Sequence, residues 1–428
     1  MSEKTYSISR HSSSFRYALA VLPVLIGLFF TLGFAKHNDS SPTGTSESAK
    51  VWVGTWSTAP QLVEPHNLPP EPGLSNNTLR QVVCVSIGGD TLRLKFSNEF
   101  STSPVTMQAV QIAVSKGGGV IDANTIKEVK FNQQSAITMN PGSAVSSDPI
   151  AFALKPRMQL AITIYFGQTS PDVTGHPGSR TTSYLLAGNQ ISSVDFKGSV
   201  RTDHWYTING IDVKTSSSAA AVAILGNSIT DGRGSGTNLQ NRWPDILAER
   251  LLKNPATRQV GVLNLGIGGN CVLRECLGPA AIERFERDVL GQQRVRWLII
   301  FEGVNDIGQA PDSKTADQIA DNLITALEQI IDQAHAAGLL VYGATITPIG
   351  KSFYYADYRE EARRKVNEWI RTSGCFDAVI DFDKAMRNPA EPSTIMDGLH
   401  DGDYLHPSQT GHQIMGKAVD LNLFKIEK

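Results

Sequence analysis

The sequence predicts a chain of two halves. An antiparallel β-sandwich or jelly roll over residues 51–215 is followed, over 218–428, by an α/β unit with a parallel five-stranded sheet covered by helices on both faces. Three observations predict this. Residues 51–215 carry short apolar or alternating segments between Gly, Pro and Asn clusters, with no helical stretch, which is the pattern of antiparallel strands. From Ala219 onward continuous apolar runs alternate with helical patterns, as buried parallel strands and their crossovers do. The strand block also precedes the α/β block, which means two domains rather than one mixed sheet.

Length and charge agree. A chain of 428 residues has room for two or three domains, and 41% hydrophobic with 19% charged residues is ordinary globular composition. Thirty-nine basic against 41 acidic side chains leave a net charge of -2. With no basic excess to neutralise phosphates, a nucleic-acid partner is not expected. Four cysteines are too few for a disulfide-built scaffold.

The N-terminus reads as an export segment. Lys4, Arg10 and Arg16 precede an apolar run from Tyr17 to Ala35, and Gly33 and Ala35 offer small residues for cleavage before Lys36. The run is also long enough to reach across a bilayer, so an uncleaved anchor, a membrane tether through residues 17–35, is the rival reading. A buried globular helix fits poorly, because the run is apolar on every face. The Ser/Thr/Gly-rich stretch 36–50 is a flexible linker. The rest of the protein is expected to face outside the cytoplasm, secreted, periplasmic or anchored.

In the first half the strands are QVVCVSI (81–87), TLRLKFS (91–97), MQAVQIAVS (107–115) and MQLAITIYF (158–166), with turns at Gly88-Gly89-Asp90, Gly117-Gly118-Gly119 and Asn140-Pro141-Gly142. The polar, proline-rich stretch from His66 to Asn77 reads as a long loop able to reach the neighbouring domain. In the second half the strands are AVAILG (221–226), GVLNLG (261–266), WLIIFEG (297–303), LVYGAT (340–345) and AVIDFD (378–383), each followed by a helical pattern. In such a sheet ligands bind where strands end and helices begin.

Those ends carry the chemistry. After the first parallel strand, GNSITDG puts Ser228 on a glycine-flanked turn, where a hydroxyl nucleophile and backbone N–H donors can share one space. It is not Gly-x-Ser-x-Gly, since Thr230 takes the last place. After the second, NLGIGGN lets a backbone approach a ligand closely. A dinucleotide loop would open the first βα unit and keep a third glycine, and both conditions fail here. After the third, GVND places Asn305, whose amide is an oxyanion-hole donor or else a loop cap. Near the C-terminus Asp403 and His406 stand three apart, ahead of a helix opened by Pro407, and can supply a base and its orienting acceptor. The rivals are a metal site drawn from His400, Asp401, Asp403, His406 and His412, and a plain polar turn. All these residues fall on one edge of the sheet, and that coincidence is what points to a site.

With these blocks in this order, residues 218–425 resemble the SGNH (GDSL-type) hydrolase family, here with an additional N-terminal β-sandwich. The four letters correspond to Ser228, Gly269, Asn305 and His406, and Trp243-Pro244 resembles the family's opening of the first helix. The resemblance implies a flavodoxin-like three-layer domain and a serine esterase or lipase. Ser228, Asp403 and His406 would be catalytic, and the N–H groups of Ser228 and Gly269 with the Asn305 amide would form the oxyanion hole. It implies no cofactor and no metal. One position departs: Asn227 replaces the usual aspartate, which drops a negative charge beside the serine.

Cys271 and Cys276 either bridge a small loop beside the glycine block or remain thiols, while Cys84 and Cys375 read as small buried hydrophobes. Trp52, Trp56 and Trp205 are candidates for sugar stacking or for the core. By analogy with secreted esterases carrying such a domain, the expected partner is a small-molecule or glycan ester, with short acyl groups on carbohydrate leading. A lipid-directed lipase or lysophospholipase is the alternative, and a glycan-binding protein with a vestigial esterase half ranks below both.

Overall fold

The computed structural model describes residues 49–426. The apolar run 17–35 and all but the last two residues of the linker 36–50 lie outside the described residues. Among the described residues no helix is long and apolar enough to cross a membrane.

The principal strands of the first half are β1 (Val51–Ser57), β2 (Thr78–Cys84), β3 (Gly89–Asn98), β4 (Val105–Gly117), β5 (Ile150–Leu154), β6 (Gln159–Phe166), β7 (Ser183–Leu186) and β8 (Ile208–Thr215). One antiparallel sheet runs β1-β8-β3-β5 and another has β7-β2-β6-β4 at its centre. The period of two decides what each buries. Along β3, Leu92, Leu94 and Phe96 point inward while Thr91, Arg93 and Lys95 lie outward. Leu92 and Phe96 from one sheet share a core with Leu79, Ile112 and Ile162 from the other, so the two sheets face each other as a sandwich. Trp56 and Trp205 belong to that core, edge to face at 5.0 Å. Of the three tryptophans only Trp52 is partly exposed, and the Arg93 guanidinium lies over its ring.

The second half holds β9 (Ala220–Gly226), β10 (Val260–Gly266), β11 (Val295–Phe301), β12 (Leu340–Ala344) and β13 (Ala378–Ile380), all parallel, in the order β10-β9-β11-β12-β13. Counted within the sheet this is 2-1-3-4-5, the flavodoxin-like order, whose switch point lies between the first and third strands. The helices are α1 (Ser228–Asp231), α2 (Trp243–Lys253), α3 (Ala281–Phe285, continued as a π turn to Leu290), α4 (Val304–Gly308), α5 (Ser313–Ala336), α6 (Asp357–Thr372), α7 (Phe382–Met386) and α8 (Gln409–Ala418). Alternate residues of β9 feed the two faces. Ala223 and Leu225 pack with α3, α5 and α6, whereas Val222 and Ile224 pack with α2, α7 and α8. Hence three layers.

The two predicted segments cut shortest at their C-terminal ends are 378–383 and 81–87. The run 378–383 leaves the sheet at Ile380, because the Asp381 carboxylate accepts the Lys384 N–H and caps α7. The run 81–87 leaves its sheet at Cys84. The Ser86 hydroxyl beyond it accepts the Val262 N–H of β10, a bond that ties the sandwich to the parallel sheet. The seam between the halves is close. A Cβ on Gly54 would meet Leu263 at 2.9 Å, and one on Gly261 would lie 2.3 Å from the Gly54 carbonyl oxygen. Ala221 and Leu263 belong to the sandwich core itself.

Candidate active site

Strand register brings the predicted residues together. Gly226 of β9 pairs with Gly266 of β10 and with Phe301 of β11, so the three strands end at one level. The loops that follow carry Ser228, Gly269 and Asn305 into one crevice, and the loop before α8 adds His406.

Ser228 is the first residue of α1. Asn227 caps that turn, its Oδ1 accepting the Ile229 N–H at 3.1 Å. The first N–H groups of a helix have no acceptor within it, so the Ser228 N–H stays available. Ser228 Oγ lies 2.9 Å from His406 Nε2, and His406 Nδ1 lies 2.6 Å from Asp403 Oδ2. The other Asp403 oxygen accepts the backbone N–H groups of Leu405 and His406 at 3.0 and 2.8 Å. Burial works against the Asp403 carboxylate, but these donors outweigh it and hold its pKa below the ordinary value. Burial pushes the His406 pKa down; Asp403 opposes that shift, and the Arg233 and Arg180 charges add to it. A neutral imidazole with its proton on Nδ1 can accept the serine proton on Nε2.

Gly269 sits at φ +71, in the left-handed region, and a Cβ there would meet Leu277 at 2.8 Å. Asn305, on α4, donates from Nδ2 to the Asn270 carbonyl at 2.7 Å, and its Oδ1 accepts the Tyr354 hydroxyl at 3.0 Å. An amide nitrogen has two hydrogens, so one remains for a ligand. The glycine loop is pinned as well. Asp306 accepts the Val272 and Leu273 N–H groups, each at 3.0 Å, and a Cys271–Cys276 disulfide closes the loop. Cys84 is buried and Cys375 half-buried.

The departure at residue 227 has a physical counterpart. Asn227 Nδ2 faces the buried Glu302 carboxylate at 3.4 Å and the Phe301 carbonyl at 3.3 Å. Burial pushes the Glu302 pKa up to about 8 against the pull of Arg284. An aspartate at position 227 would crowd a second acidic group against the buried Glu302, whereas the amide donates to it.

Other candidates lie elsewhere. His412 is spent on structure, its Nδ1 accepting the Trp243 N–H at 3.3 Å and its Nε2 donating to the Arg233 carbonyl at 3.0 Å. His400 stacks on Tyr404 with ring centres 3.9 Å apart. Among the described residues no group of three or more His, Cys, Asp or Glu is placed to hold a metal ion.

Several residues of the crevice escaped the sequence reading. It encloses about 460 Å³, and Gln61, Glu64, His66, Asn67, Arg180 and His204 of the β-rich half form one wall. The stretch from His66 does reach the neighbouring half, as its composition suggested. Tyr354 had a readable signal, since it follows the fourth parallel strand on the same sheet edge. Arg180 and His204 had none.

Residues 224–414 match the GDSL-like Lipase/Acylhydrolase family. A comparison with curated proteins finds no match. Among solved structures, the lipase/acylhydrolase from Enterococcus faecalis shares 21% identity over 49% of this chain and 99% of its own, with a TM-score of 0.38. An acetyl xylan esterase from Geobacillus stearothermophilus gives the same identity, coverage and TM-score. A GDSL-like lipase from Bacteroides thetaiotaomicron is 17% identical over 46% of this chain and 84% of its own, with a TM-score of 0.35.

Proposed function

We propose that the GDSL-like lipase/acylhydrolase domain formed by residues 224–414 hydrolyses carboxylic esters through an acyl-enzyme on Ser228. One observation carries this: the unbroken chain from Ser228 Oγ through His406 to Asp403, at 2.9 and 2.6 Å. Ser228 Oγ attacks the ester carbonyl carbon while its proton passes to His406 Nε2, and Asp403 stabilises the imidazolium. The oxyanion sits among the N–H groups of Ser228 and Gly269 and the free Asn305 amide hydrogen. His406 then protonates the leaving alkoxide as the ester C–O bond breaks. Water, deprotonated by His406, attacks the acyl carbon, and the imidazolium returns that proton to Ser228 Oγ as the Oγ–C bond breaks and the carboxylic acid leaves. These groups need no cofactor or metal.

The substrate we favour is a short acyl group on a carbohydrate. Its support is the wall of hydrogen-bonding side chains from Gln61 to His204, which suits a polar alcohol better than a lipid tail. Lipid esters are the second reading, favoured by Leu277 and Phe353 on the rim, 45% and 68% exposed. We also place the protein outside the cytoplasm, on the basic-then-apolar order of its first 35 residues and the Cys271–Cys276 bridge. Edman sequencing of the mature protein separates the two forms of that placement, since a cleaved signal gives an N-terminus near Lys36 and a retained anchor keeps Met1. For the chemistry, Ser228→Ala should abolish p-nitrophenyl acetate hydrolysis, and retained turnover would end the proposal. A panel of acetylated xylan and pectin fragments against phospholipids separates the two substrate readings.

A further inference from the structure

We infer that His176 and Arg180, both from the β-rich half, are positioning residues for the nucleophile, acting through Asp231. The inference rests on the reading of Ser228 given above and adds a working part to it.

The turn that carries Ser228 is only four residues long, Ser228–Asp231. So short a helix has no stability of its own, and its orientation is set by whatever grips its two ends. Asn227 grips the start. The end is gripped from the other half of the molecule. Asp231 is buried, and its Oδ1 lies 2.9 Å from His176 Nε2 while its Oδ2 lies 3.2 Å from Arg180 Nη2. His176 is buried too, and its Nδ1 lies 2.9 Å from the Ala59 carbonyl oxygen. Both ring nitrogens therefore have oxygen partners, so the ring bridges the two. It links a sandwich backbone to the last residue of the serine turn.

A second observation shows that the loop is shaped for this approach. Gly178 lies between the two gripping residues, and a Cβ there would fall 1.9 Å from Asp231 Oδ2. The turn's backbone is also approached closely from the β10 end, where a Cβ on Gly266 would fall 2.4 Å from the Asp231 N. The turn is thus held between the β10 end and the 176–180 loop with no slack. Within it the Asp231 N–H donates to the Asn227 carbonyl at 2.9 Å, so a shift at Asp231 is passed to the residues before it. Burial alone would raise the Asp231 pKa, and the facing Arg180 and His176 keep it below the ordinary value, so the carboxylate is there to be held.

The test is made on the full-length protein with p-nitrophenyl acetate and with diisopropyl fluorophosphate, which reports the reactivity of Ser228 directly. A misplacement of about 1 Å can cost ~10²-fold in rate, so His176→Ala should lower kcat by about 10- to 100-fold with KM changed less than about twofold. Labelling by the fluorophosphate should slow in parallel. His176→Gln keeps an amide N–H near the Nε2 position and should recover about tenfold over the alanine variant. A role confined to stability would lower the melting temperature and leave kcat intact well below it, and that result overturns the inference. If His176→Ala does not fold, Arg180→Gln and Gly178→Ala decide by the same readouts: a fall in kcat and labelling rate at unchanged KM supports the inference, and unaltered kcat refutes it. Ser228→Ala keeps the two proposals apart. If that variant is inactive while the His176 and Arg180 variants are normal, only the present inference fails.

Discussion

Asp403→Asn offers the sharpest test of the catalytic geometry, because the structure dictates how the new amide must sit. Asp403 Oδ1 accepts two backbone N–H groups, from Leu405 and His406, and Oδ2 faces His406 Nδ1. An asparagine cannot turn its NH₂ toward two donors, so its oxygen stays with the backbone and its nitrogen faces the ring. Nδ1 then accepts instead of donating, the ring proton moves to Nε2, and the base meets Ser228 in the wrong tautomer. In a serine triad that exchange is worth about 10⁴-fold in kcat, or ~5.4 kcal/mol of transition-state stabilisation. Binding is untouched, so KM for p-nitrophenyl acetate should stay near wild type. Asp403→Ala removes the orienting acceptor without imposing the wrong tautomer, and should be no worse than the asparagine variant. The assay is steady-state hydrolysis beside a thermal melt confirming the fold. An asparagine variant within about tenfold of wild type would refute the assignment of Asp403 as the orienting acid.

Because burial lowers the His406 pKa, kcat/KM should rise with pH through a single protonation whose midpoint lies below the ordinary histidine value of 6.5; a midpoint above that value in a pH–rate profile would contradict the buried base. His412 is pushed down to about 4 by burial. Its folded pKa lies below its unfolded one, so its share of stability is present above pH 6.5 and is lost as pH falls toward 4. That share is ~3 kcal/mol, and urea midpoints should show it as an acid slope that His412→Asn lacks. Opening the Cys271–Cys276 bridge frees a loop with a sequence separation of 5, which should cost about 2 kcal/mol. Melts with and without dithiothreitol measure it, and an unchanged midpoint would count against the bridge.

What the sequence displayed and what it hid differ by distance along the chain. The five parallel strands were legible because each is a short apolar run, the inner ones buried on both faces, and their ends named the edge where Ser228, Gly269, Asn305 and His406 meet. Asp403 was legible because it stands three residues from the histidine whose Nδ1 it faces. The reason for Asn227 was not, since its partner Glu302 is 75 residues away and joins it only through strand pairing. His176 was hidden for the same reason: 55 residues separate it from Asp231, and nothing in Thr174-Gly175-His176 marks a long-range bond. The halt of the last strand at Ile380 turned on one side chain, Asp381, capping a helix inside an apolar pattern. Periodicity shows local faces, and it is silent on which distant faces will touch.

The meeting of backbones at Gly54 and Gly261 bears on how this chain can be re-engineered or can diverge. Transplanting a foreign front half onto the α/β sheet would require that graft to bring its own side-chain-free residue at this contact. It would also have to accept Leu263 among its own interior residues. Crevice-wall positions away from this contact and from Gly178, such as Glu64 and His66, face no such demand, so new specificities are reachable there while the joint beneath stays as it is.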